Sequence, residues 1–134
     1  RTFESKKQKG AEVDLSTVFA NSVKKAVRTV ILDQKDHLEV IDRLETRDKE
    51  ATVSWIMVTP AEAKITGKNR IELTKDGQRM LTADTGTEVE MKIWSNVPPH
   101  EYDFRNPGTI RVGFETVIPA NRASQLKVRL IPLK

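Results

Sequence analysis

Asp33 and Asp42 each close an apolar run, VILD and LEVID, with a short polar stretch at 34–37 between them. Two carboxylates at like positions on neighbouring segments could divide general acid and general base work between them. That chemistry needs a carboxyl tuned by a partner and held within about 2.6–3.2 Å of the proton it moves. No residue near either aspartate in sequence supplies the tuning. Both are expected to be exposed strand-end carboxylates facing water.

His37 and His100 are the only histidines. His37 falls in a turn-rich link, and His100 opens the string HEYD with Glu101, Tyr102 and Asp103. That string could take a cation or move a proton, but a metal centre needs three or four converging ligands. A solvated loop is the expectation. The chain has no cysteine, which excludes disulfides, thiolate nucleophiles and cysteine metal sites. It carries no G-x-S-x-G, P-loop or H-E-x-x-H string. No catalytic residue, no metal ligand and no cofactor is therefore assigned.

Aromatic residues are few: two Trp, one Tyr and four Phe. Trp55 and Trp94 each have apolar residues two positions away, so both are expected in a core. Tyr102, in a loop, is better placed for the exposed stacking that sugar rings favour. A nucleic-acid platform would interleave more aromatics with the basic residues.

The elements that would carry these residues read mostly as strands. In LEVIDRL, Leu38, Val40, Asp42 and Leu44 alternate with Glu39, Ile41 and Arg43. ATVSWIMVT sets Val53, Trp55 and Met57 on one face and Ile56 and Val58 on the other, which predicts burial on both sides. Further runs are AKITG, RIELT, QRMLTAD, EVEMKIW, TIRVGFETV and QLKVRLIPL. Asp76-Gly77 predicts a two-residue hairpin turn. The stretch from Asp14 conflicts with itself, because helical spacing of apolar residues runs into a β-branched segment. A turn or short helix over residues 16–21 and a strand from Val23 through Leu32 reconcile the two. The fold class is all-β, an antiparallel sandwich of about 8–10 short strands. Residues 1–10 form a basic, loose lead-in, and 11–134 a single sandwich domain.

With 23 Lys+Arg against 19 Asp+Glu the net charge is +4, below what a dedicated nucleic-acid binder shows. No apolar run reaches the roughly 18 residues of a membrane span. The first residue, Arg1, suggests a mature product or an excised piece of something longer.

The string VDLSTVFANSVKKAVRTVILDQKDHLEVIDRLE resembles the β-sheet region of the heparinase II/III family of bacterial polysaccharide lyases. The likeness rests on Asp14-Leu15-Ser16 with Phe19, on Val23 to Arg28, and on Leu38 to Asp42. Downstream it continues as Trp55 to Thr59 and a hairpin with Asp76-Gly77, covering about residues 11–134. Phe19 stands where the family pattern has tyrosine, so a hydroxyl contact from that position is lost. The resemblance implies an N-terminal helical catalytic domain on the same polypeptide, an acidic uronate-containing polysaccharide as substrate, and a periplasmic or secreted bacterial protein. The family's eliminating residues come mostly from the helical part. This chain then looks like a non-catalytic C-terminal β-domain that is inactive by itself, braces the catalytic domain and contributes to the cleft. Contacts to acidic sugar would fall to Lys24, Arg28, Tyr102 and Arg105. Lys24 and Arg28 share a strand face at period two and form a clamp, unless they pair with Glu39 and Asp42 across a hairpin. Two other readings stand beside this one: an independent carbohydrate-binding or Ig-like adhesion module, and a small enzyme using His100, Glu101 and Asp103.

Overall fold

β-Branched and alternating runs become eleven strands, with no helix among the described residues, in a computed structural model that describes residues 1–85, 89–97, 100 and 106–133. The strands are β1 (Thr2–Glu4), β2 (Gln8–Asp14), β3 (Val23–Asp33), β4 (Leu38–Thr46), β5 (Ala51–Thr59), β6 (Glu62–Gly67), β7 (Arg70–Lys75), β8 (Gln78–Thr85), β9 (Lys92–Ser95), β10 (Ile110–Ile118) and β11 (Ala123–Pro132). Eight of them form one antiparallel sheet, ordered β1-β2-β3-β4-β11-β8-β7-β6, and three form a second, ordered β5-β10-β9. The expected all-β sandwich is what the chain builds.

Register explains which residues meet. Across the β3–β4 hairpin, Ala26 faces Leu44, Arg28 faces Asp42 and Val30 faces Val40. Across β4–β11, Leu126 faces Asp42 and Val128 faces Val40. These residues share one side of the sheet, because pairs directly opposite each other point the same way. That side meets Trp55 of β5 and Val112 and Phe114 of β10 in the core, with Ile71 and Leu73 from β7. Phe114 is 0% exposed and lies parallel to Trp55, with ring centroids 6.1 Å apart and 7° between planes. Thr46 ties the end of β4 to the β10–β11 turn, donating to the Pro119 carbonyl at 2.6 Å and accepting from the Arg122 amide at 2.9 Å.

The Asp76-Gly77 turn forms as the sequence indicates, with φ of 52° and 78° at its two central residues. Residues 16–22 are turns rather than helix. They are fixed by Ser16, which donates its amide to Asp14 at 2.9 Å and accepts the Ala26 amide at 3.0 Å. The loose lead-in is revised: β1 pairs with β2, and the Phe3 ring packs where a side chain on Gly10 would have to sit. Burial of β5 on both faces is also revised. Ile56 and Val58 stay 43% and 48% exposed, since nothing described covers the outer side of the three-stranded sheet. Trp94 is half-buried and, opposite Arg111, shares the outward face of Val58 rather than the core.

Candidate functional site

A groove of about 260 Å³ opens between the sheets where β3 passes β5. Its walls are apolar: Leu15, Phe19, Val23, Ala26, Leu44, Ala51, Val53 and Trp55 all reach it. Its polar groups are Arg28, Asp42, Ser22, Thr52 and Ser54. Apolar walls with a few convergent polar groups are what ligand sites usually offer.

Alternation along β3 and β4 puts the charged pair here. Arg28 follows Ala26 and precedes Val30 on the inward side, and Asp42 sits between Val40 and Leu44. Arg28 donates from Nε to Asp42 Oδ1 at 2.7 Å and from Nη2 to Oδ2 at 2.9 Å, a two-pronged bond. The Asp42 side chain is 12% exposed and that of Arg28 41%. Hydrogen bonding to Asp42 raises the pKa of Arg28 above the ordinary guanidinium range. Asp42 is therefore not the exposed strand-end carboxylate expected from sequence: it lies inside β4, facing the groove. The signal was present in the phase it shares with Val40 and Leu44.

Asp33 does end its strand, and it organises the hairpin turn. Its Oδ1 accepts the amides of Lys35 at 2.7 Å and His37 at 3.0 Å. Desolvation opposes ionisation there, but those two amides, together with nearby positive charge, hold the carboxyl below the usual aspartate range. Asp33 and Asp42 do not come together as an acid–base pair. They sit at different positions along the hairpin, and each is engaged with other groups.

Lys24 lies next to a register shift in β3 and bonds Glu45 Oε1 at 2.9 Å, with the Glu45 carboxyl held low by that bond. The two cations proposed as a clamp are thus each matched to a carboxylate, Lys24 to Glu45 and Arg28 to Asp42. Tyr102 and Arg105 lie outside the described residues, as do Glu101 and Asp103. His100 is exposed. Among the described residues no group of three His, Cys, Asp or Glu side chains could hold a metal. No helix among them is long and apolar enough to cross a membrane.

No family model matches the chain, and no curated protein does. Among solved structures, the crystal structure of the heparan sulfate lyase HepC from Pedobacter heparinus superposes with a TM-score of 0.71 at 15% identity. The match covers 100% of this chain but only 21% of the HepC chain. At that identity the likeness is one of fold: this chain has the architecture of a β-sandwich region that occupies a fifth of a much larger lyase.

Proposed function

We propose that the chain is the non-catalytic β-domain of a bacterial heparinase II/III-like polysaccharide lyase, exported to the periplasm or beyond. There it braces a helical catalytic domain of the same polypeptide and borders the cleft for an acidic polysaccharide. The observation that carries this reading is the match over the whole chain to a region that makes up 21% of HepC. The site geometry agrees with it. The two aspartates considered for acid–base work on the hairpin are tied to structural partners, Asp33 to the turn amides and Asp42 to Arg28.

β-Elimination leaves an unsaturated uronate that absorbs in the ultraviolet. The purified chain is expected to give no growth of that absorbance on heparan-type polymers. A longer polypeptide that includes a helical domain is expected to give it. Sustained turnover by the chain alone, lost on His100→Ala, would overturn the reading.

Lys24 reaches Glu45, on the face of β4 away from the groove, while Arg28 and Asp42 line the groove, so the two cations do not converge on one sugar. A heparin-like oligosaccharide at low salt is therefore expected to bind the Lys24→Ala/Arg28→Ala variant as well as it binds the parent. Loss of binding in that variant would restore the clamp.

A further inference from the structure

Among the described residues four strand edges bound the two sheets, and natural proteins blunt such edges with shortness, charge, bulges or cover. Three of the four follow that rule. β1 has 3 residues, β9 has 4 and carries Lys92, and β6 carries Glu62 and Lys64 and slips register between Ile65 and Gly67. The fourth does not. β5 runs 9 residues, ATVSWIMVT, without a charge or a proline, and among the described residues it pairs only with β10.

The groove lies along that unprotected edge. Five consecutive residues, 51–55, line it, so inward Val53 and Trp55 and outward Thr52 and Ser54 all reach it. Neighbours of opposite facing can share a cavity only if it touches the strand's edge, because successive side chains point to opposite sides. No residue of β10 contributes to the lining. Across the groove, Val13 is 49% exposed on the inward side opposite Arg28, and Phe19 is 50% exposed at the rim. Among the described residues the larger sheet therefore extends past the smaller one on this side.

We propose that residues 51–55 of β5 receive an extended polypeptide segment, which adds a fourth strand to the small sheet and fills the groove. Main-chain hydrogen bonds to the β5 edge supply affinity, and alternate side chains supply selectivity. Inward residues of the segment are apolar and meet Ala26, Leu44 and Val53. One acidic residue near its middle meets Arg28, whose third nitrogen, Nη1, has no partner among the described residues, while Nε and Nη2 hold Asp42. A carboxylate there gains a charge-assisted bond. This inference does not depend on the lyase reading, and either can fail without the other.

The probe is the N-acetylated peptide Thr-Val-Thr-Glu-Thr-Val-Thr, whose glutamate shares a face with its valines, followed by amide NMR of the purified chain. Saturable shifts are expected at residues 51–55 and 23–28, with slowed hydrogen exchange at alternate β5 amides. Methylating the backbone nitrogens on one edge of the peptide abolishes binding, and methylating those on the other edge leaves it. Replacing the central glutamate by glutamine weakens binding roughly three- to tenfold, about the worth of one charge-assisted bond. The Arg28→Gln/Asp42→Asn variant, which exchanges the ion pair for an amide pair, loses that preference. Three results would each overturn the proposal. One is no saturation up to about 1 mM, beyond which such binding is too weak to matter. Another is equal binding by both methylated peptides. The third is a concentration-dependent dimer in sedimentation with β5 amides already protected, which would make a second copy the occupant.

Discussion

The two ends of the space between the sheets use similar residues and pack very differently. At the closed end, Ile71, Val112, Phe114 and Val128 are 0–1% exposed and interdigitate across both layers. At the open end, Val23, Ala26 and Ala51 form a small separate cluster beside the groove, with Leu15 and Leu44 only partly buried against it. The difference comes from cover rather than hydrophobicity. Eight strands face three, so among the described residues one flank of the larger sheet has no opposite layer to pack against. A region that is apolar but uncovered has room to accept a ligand. A region that is apolar and covered holds the fold.

Truncation should separate the two ends most sharply. Phe114→Ala removes a fully buried ring and its stacking on Trp55, and is expected to cost about 3–5 kcal/mol. Phe19→Ala, at a site already 50% exposed, is expected to stay within about 0.5 kcal/mol. Urea unfolding of both variants reads the contrast directly. A cost at Phe19 approaching that at Phe114 would mean that the open end is packed, and the comparison would break.

Much of this division was legible in the residues, and part was not. The strands, the hairpin at Asp76-Gly77 and the inward phase of Trp55 follow from alternation and turn chemistry, which are local. Ile56 and Val58 were misread because apolar residues on both faces normally mean two covering layers. Whether the second layer exists is a property of the whole sheet arrangement. The pairing of Arg28 with Asp42 is available from the hairpin, but the shielding of Asp42 is not, because it too depends on the second layer. The pairing of β4 with β11, which brings Leu126 opposite Asp42, joins segments far apart in sequence and leaves no local trace.

The Arg28–Asp42 pair sits on the border between the two ends and gives the intermediate effect. Arg28→Ala strands a carboxylate that is mostly shielded from water, with both its oxygens deprived of donors. The expected cost is roughly 1–3 kcal/mol, below that of a fully buried pair because water reaches Arg28. Arg28→Lys should recover only part of it, since an ammonium cannot reproduce the fork. Thermal unfolding of Arg28→Ala, Arg28→Lys and the double variant with Asp42→Asn measures this. Full recovery by lysine would show that charge alone, not two-pronged geometry, holds the pair.

The smallest effect belongs to Lys24 and Glu45, on the same hairpin but in solvent, with side chains 62% and 36% exposed. The hydrogen bond from Lys24 and its charge hold the Glu45 carboxyl below the usual glutamate range. A carboxyl whose folded pKa is depressed binds protons more weakly folded than unfolded. Its contribution is therefore complete above the unfolded value of about 4.3 and is lost as pH falls through the folded value. Glu45→Gln should thus lower the urea midpoint slightly at pH 7, and the gap from the parent should close as the pH is taken toward about 3. Raising the salt at pH 7 should close the same gap, because exposed pairs are screened. A gap that persists in acid and in salt would have to come from packing of the Glu45 stem instead.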